Sequence, residues 1–216
     1  MKLIARLVLV GVALVVILFV LLRNHCPTSG LALTRQRREF HQLKNRTALP
    51  QQSDFDSQLT LERLLQPGAD ESRWSTARAG RIEGYVVSVS SGPLESANCY
   101  CRRDIHLMVA PRPDAPPREQ LVFEVTPRIE ATKQTLAQDF KVVNPQKGKQ
   151  DGVPLEEWSL ERLKRELIGR RVRFEGWLLF DFSHAAESEN TAPVRANNWR
   201  ATAWELHPIT KIEIPK

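Results

Sequence analysis

Cysteine is scarce in this chain, three among 216 residues, too few for a disulfide framework. Cys99 and Cys101 stand in the run CYC, a spacing too tight for an easy unstrained bridge. Cys26 follows RNH, without the small residues expected ahead of a lipid-modified cysteine. Cysteine usage therefore leaves the redox compartment open. Internal repeats are also missing, so nothing points to a repeat array. A concentrated basic footprint is missing too. The net charge is +6, but residues 1–77 hold ten Lys/Arg against six Asp/Glu, and residues 78–216 hold twenty-one against nineteen. The larger part is nearly balanced, which is weak ground for nucleic-acid binding.

The longest absence is of charge itself. Residues 7–22 are sixteen positions without one. As a helix they would span roughly 24 Å at ~1.5 Å per residue, against the ~30 Å of a hydrocarbon core. Extension to Leu3 adds Arg6, whose side chain can snorkel to the interface. A cleaved leader would place its small-x-small site at GLA, ending at Ala32, ten residues beyond the apolar run. The long run and the abrupt Arg23 instead predict a retained anchor, with the bilayer as partner of residues 3–22. A buried soluble helix is the remaining alternative. Basic residues flank both ends of the run, so orientation is weakly encoded. The short basic start predicts that the bulk lies outside the cytoplasm.

The expected domains are a transmembrane signal-anchor at 1–23, a juxtamembrane helical stalk or linker at 24–77, and an OB-like barrel at 78–216. LTRQRREFHQLKNRTAL reads as a basic, solvated helix, and NRT at Asn45 matches a glycosylation acceptor. LTLERLLQPG reads as a short helix from Thr60, stopped by Pro67 and Gly68.

From residue 78 the apolar period changes to two. GRIEGYVVSVSSG, DIHLMVAP and LVFEVTP read as three strands. A long connection comes next, partly helical, with a loop at NPQKGKQDGVP. SLERLKRELIG is a helix with Ser159 at its start, an apolar stripe of Leu160, Leu163, Leu167 and Ile168, and Gly169 at its end. RRVRFEGWLLFDF is the fourth strand, bent or bulged at Gly176, and WELHPITKIEI is the fifth. Three strands, a helix and two strands is the element order of a five-stranded OB-like barrel, a mainly β fold. Another α+β sheet with the same order is the alternative. In the last strand Trp204, Leu206, Ile212 and Ile214 share one parity and should point inward. Glu205, His207, Lys211 and Glu213 should then point outward.

DIHL, GWLLFDFSH and WRATAWELHPITKIEI resemble pieces of small bacterial OB-fold proteins of unassigned activity that end in a Trp-Glu-x-His-Pro strand. The resemblance covers about 140 residues and implies this fold and a bacterial envelope location. It implies no chemistry. The barrel is also similar to that of thermonucleases, without a clear counterpart of their Arg-Glu-Arg catalytic set.

In such a barrel the ends of strands two, four and five come to one rim. Three acid–imidazole pairs are expected there: Asp104 with His106, Asp181 with His184, and Glu205 with His207. Arg200 lies in the last loop, and Cys99 and Cys101 precede strand two. His106, His184 and His207 could ligate zinc, with Asp104, Asp181 or Glu205 as carboxylate ligand or supporting partner. An open position on zinc would then serve hydrolysis. Acid–base chemistry without metal is a second use of the same groups. A structural use, with His207 donating to Asp181, is the third. Single-stranded nucleic acid would need aromatic platforms on strands two and three. The outward positions there are His106, Met108, Val122 and Glu124, while Tyr85, Trp177, Trp199 and Arg195 lie elsewhere. The leading expectation is non-enzymatic binding of a protein or small-molecule partner at the rim, with a metal-dependent hydrolase as the alternative and nucleic acid below both. Whether the chain is an enzyme stays open at this point.

Overall fold

The alternating runs become strands in the computed structural model, which describes residues 2–129, 152–154, 158–192 and 198–215. Most of the loop expected at NPQKGKQDGVP, and Arg195, lie outside the described residues. The strands are β1 (Ala79–Ser91), β2 (Ile105–Ala110), β3 (Leu121–Val125), β4 (Gly152–Pro154), β5 (Arg171–Phe180) and β6 (Trp204–Pro215). Their order is β3-β2-β1-β5-β6, and a parallel contact of Phe123 with Leu206 joins β3 to β6. This is a five-stranded closed barrel. The short β4, not foreseen, adds to the far end of β6 through Val153 opposite Ile214.

Period-two alternation puts Ile82, Leu107, Phe123, Phe174 and Leu206 on the inner face, each at most 1% exposed. Phe123 and Phe174 meet edge to face, with centroids 5.1 Å apart. Burying each such side chain contributes about 1.5–3 kcal/mol. The predicted helix forms as Leu160–Leu167 and buries Leu163, Leu167 and the preceding Trp158. Ile168 departs from the expected stripe and is exposed, because the helix has already ended. Gly169 turns the chain with φ +78°, and its N–H donates to Val86 O at 2.8 Å. The Val86 N–H donates in return to Arg170 O at 3.0 Å. Ser159 holds the cap position without a side-chain cap bond. The short helix Leu61–Leu65 is capped as its sequence suggests, Thr60 Oγ1 accepting from Arg63 N at 3.2 Å.

The last strand departs from simple alternation. Phe174 faces Ile212, Gly176 faces Ile209 and Leu178 faces Leu206. Two residues on β5 thus oppose three on β6, twice over, so Leu206, Ile209 and Ile212 all reach the core at a spacing of three. Gly176 permits this. A Cβ there would lie 2.7 Å from Pro208 O and 2.9 Å from Leu206 Cγ. The expectation that Glu205 and His207 point away from the barrel interior holds near Leu206, but the expectation of exposure fails. Both are buried, and so is β6 from Trp204 to Thr210.

The chain divides into two compact units, Met1–Asn45 with Pro93–Arg103, and Arg46–Gly92 with Asp104–Lys216. The second contains the barrel. At its start Arg46 stacks on the Trp177 ring at 4.5 Å and donates to Thr76 O and Leu178 O, both at 2.8 Å. Burial lowers the pKa of this guanidinium to about 10.

In the first unit a helix runs from Lys2 to His25, and its described apolar side chains are exposed. Taken over the described residues, no helix is long and apolar enough to cross a membrane. A second helix, Arg35–Lys44, is capped by Thr34 Oγ1, which accepts from Arg37 N at 3.2 Å. It is not solvated on all sides, since it buries Phe40, His41 and Lys44. Lys44 Nζ pairs with Glu95 at 2.9 Å. Asn45 Nδ2 donates to Thr28 O at 3.0 Å and Ala97 O at 2.9 Å. A buried amide engaged in this way is no glycosylation acceptor, so that reading of Asn45 is corrected. Cys26 and Cys99 form a disulfide across 73 residues, a pairing that cysteine spacing did not suggest. In the loop-entropy treatment a crosslink of this span contributes roughly 4 kcal/mol.

Candidate functional site

The register of three adjacent strands builds one polar face. Across β2 and β3, His106 stands directly opposite Glu124, flanked by the inward pairs Ile105–Val125 and Leu107–Phe123. Asp104 precedes His106 by two positions and shares its parity. The Phe123–Leu206 contact brings β6 beside β3, and His207, next to Leu206, falls on the same face as Glu124. The face lies opposite the apolar core, yet its members are buried. His207 is fully enclosed, Asp104, Glu124 and Glu205 nearly so, and His106 keeps 24% of its side chain exposed.

The distances within this face are short. His207 Nδ1 lies 2.8 Å from Glu124 Oε2 and 3.8 Å from Glu205 Oε2. The other oxygen of Glu124, Oε1, faces His106 Nε2 at 3.2 Å. Glu205 Oε1 accepts from Arg200 Nη1 at 2.8 Å. Arg200 is itself buried, and its Nε donates to Thr202 O at 2.7 Å. One donor atom each from Asp104, Glu124 and His207 lies within 4.8 Å of the others, and among the described residues this is the one group so arranged. Gly92 allows the approach, since a Cβ there would lie 2.5 Å from His106 Nε2.

Arg200 and β6 are held by a second buried carboxylate. Asp70 accepts from Thr202 Oγ1 at 3.0 Å, from Ala203 N at 2.9 Å and from Thr191 Oγ1 at 3.1 Å. Its backbone carbonyl accepts from Trp204 Nε1 at 2.8 Å. A charged acceptor with three donors fixes the segment that leads into Glu205 and His207.

The pair Asp181 and His184 does another job. Asp181 begins the short helical turn Phe182–Glu187 and accepts from Ser183 N at 2.9 Å and from the Ser183 hydroxyl. His184 Nδ1 faces Glu187 Oε2 at 3.0 Å, and Trp199 Nε1 donates to the same oxygen at 2.7 Å. Partial burial would raise the Glu187 pKa. The bonds from Trp199 and His184, with the charges of His184 and Arg200, outweigh it and hold the carboxyl below its ordinary value.

Of the seven residues named from sequence, the structure brings Asp104, His106, Arg200, Glu205 and His207 into one linked set. His184 is not a member of the converging donor group. The close donor set is one imidazole and two carboxylates, whereas the metal reading of the sequence offered three imidazoles with Asp104, Asp181 or Glu205 beside them. Cys99 is taken up by its disulfide, and Cys101 is a free thiol. Glu124 was seen in sequence only as an outward acid. Its place opposite His106 could have been found by aligning DIHL against VFEV as an antiparallel pair. Asp70 carried no signal at all, lying 132 positions from the Thr202 that it holds. Comparison with protein-family models, curated proteins and solved structures found no match, so the use of this face is argued from its chemistry.

Proposed function

We propose that the chain is a membrane-anchored envelope protein whose OB-like barrel lies outside the cytoplasm and binds a small ligand at the acid–imidazole face, without turnover. The observation that carries this reading is the burial of Asp104, Glu124, Glu205, Arg200 and His207 together on one face. Burying such charges is expensive, and apolar side chains of similar volume are often neutral or stabilising in their place. Fold stability is therefore a poor account of them, and ligand binding a better one. The same burial favours a small ligand over a macromolecule, and binding over catalysis, because only His106 reaches solvent appreciably. Nucleic acid is not proposed, since β3 is buried along its whole length and offers no platform for stacking.

The anchor is argued from the uncharged run at residues 7–22. That run lies within the helix Lys2–His25, whose described apolar side chains are exposed. The Cys26–Cys99 disulfide, immediately after that helix, supports an oxidising compartment for the rest of the chain. Carbonate washing of membranes should leave the protein in the pellet, and a C-terminal alkaline phosphatase fusion should be active. Release by carbonate or a silent fusion would refute the anchor or its orientation. Native mass spectrometry of the full chain should reveal a small adduct that Glu124→Gln loses. The bare mass alone, from freshly purified protein, would refute the binding reading.

A further inference from the structure

The face is specific enough in its donors to name a ligand class. We infer that it holds a divalent transition-metal ion, ligated by one carboxylate oxygen each of Asp104 and Glu124 and by Nδ1 of His207. This rests on the reading of the face as a ligand site and shares only His207 with the imidazole trio expected from sequence.

Three observations carry it. The first is convergence. The three donors lie within 4.8 Å of one another, and His207 Nδ1 is 2.8 Å from Glu124 Oε2. Ligands about 2.0–2.1 Å from one ion stand roughly 3 Å apart, so modest side-chain rotation completes the set. The donors come from β3, β6 and the residue before β2, which are paired elements and hold them in place before any ion arrives.

The second is orientation. His106 Nε2 lies 3.2 Å from Glu124 Oε1, while Glu124 Oε2 lies 2.8 Å from His207 Nδ1. Arg200 engages the far oxygen of Glu205, which turns its Oε2 toward the same imidazole. Both glutamates thus present one oxygen toward the imidazole, and Arg200 holds the other oxygen of Glu205, the arrangement by which outer partners aim metal ligands. Glu205 is the residue placed to complete or support the set.

The third is charge. Asp104, Glu124 and Glu205 bring three carboxylates to one enclosed place, and Arg200 meets Glu205 there at hydrogen-bond distance. So acidic an enclosure favours a cation over an anion or a neutral ligand, and a divalent ion suits it. One nitrogen with two carboxylate oxygens suits zinc, manganese or iron, whereas an all-oxygen shell would favour calcium or magnesium.

The test uses the full chain in detergent micelles, stripped with chelator and titrated with Zn²⁺ or Mn²⁺ alone. One ion per chain is expected, with a rise in thermal midpoint that grows with ion concentration. Co²⁺ should give visible absorption bands from a low-symmetry nitrogen–oxygen site. Glu124→Gln and His207→Gln should each weaken binding by at least ~100-fold, and Asp104→Asn provides a further variant if either fails to fold. His184→Gln should bind normally. Absence of any ion uptake, or undiminished uptake in both Glu124→Gln and Asp104→Asn, would overturn the assignment. Loss of binding in His184→Gln would overturn this ligand set in favour of the imidazole trio. A non-metal adduct in native mass spectrometry, with no metal uptake, sinks the metal and leaves the ligand reading standing. No adduct of any kind sinks both.

Discussion

Replacing Asp70 with alanine is expected to destabilise the barrel by about 2–4 kcal/mol, one unpaired buried amide plus the lost net hydrogen bonds of the two hydroxyls. Asp70 is 2% exposed, and its carboxylate serves Thr202 Oγ1, Ala203 N and Thr191 Oγ1. Bonds to a charged acceptor contribute roughly 1.5–3 kcal/mol each, net of water. The three do not simply add, because deleting the carboxylate also removes its desolvation penalty. The two threonine hydroxyls can rotate to other acceptors. The Ala203 N–H cannot, and leaving it unpaired costs about 1–3 kcal/mol. The bond from Trp204 Nε1 uses the backbone carbonyl of Asp70, which the substitution leaves in place, and the chain's five tryptophans report unfolding of the barrel as a whole. Asp70→Asn keeps one acceptor oxygen and should cost about 1–2 kcal/mol. Urea denaturation of the full chain in micelles, followed by tryptophan fluorescence, measures both. With a slope of roughly 2 kcal/mol/M, the alanine variant should lose about 1–2 M in midpoint at unchanged slope. A shift below ~0.5 M for Asp70→Ala would refute the role given to this carboxylate. Because Thr202 and Ala203 lie between Arg200 and Glu205, Asp70→Asn should also loosen the Arg200–Glu205 pair and weaken ligand binding without abolishing it.

Glu187, held below its ordinary pKa chiefly by Trp199 and His184 against the opposing effect of burial, stabilises the fold above the unfolded carboxylate pKa. The contribution fades as pH falls through the lower folded value, since the unfolded chain binds the proton first. Thermal midpoints between pH 6 and pH 3 should fall more steeply for the native chain than for Glu187→Gln, and parallel curves would refute this. Gly176→Val should destabilise by about 2 kcal/mol or more, because its Cβ meets Pro208 O at 2.7 Å and rigid backbone cannot yield as a side chain does. A urea midpoint equal to that of the native chain would show that the β5–β6 register shift tolerates a side chain there.

Much of the barrel is written locally. Alternation in β1, β2 and β3, the Thr60 cap, the Leu163–Leu167 stripe and the turn at Gly169 are consequences of side-chain period and backbone sterics, which act over a few residues. Gly176 was readable as a point of irregularity for the same reason. The acid–imidazole pairs were readable as candidates because Asp104–His106 and Glu205–His207 each span two positions, and period two sends such residues to one side. His184, a candidate ligand by sequence, lies outside the close donor set. Its neighbour Glu187, three residues on, captures it within one helical turn.

The order and type of the five barrel strands and of the helix before β5, and the parity that groups Asp104 with His106 and Glu205 with His207, were set by the sequence alone, because they depend on local geometry. The centre of the site was decided by tertiary structure. Glu124 reaches His207 only because β3 closes the barrel against β6, and closure is a pairing of residues some eighty positions apart. The same holds for the Cys26–Cys99 crosslink, for Asp70 beneath Thr202, and for the burial that turns an outward face of charges into an enclosed one. Which distant groups share low-dielectric space is a property of the packed chain, and no period in the sequence records it.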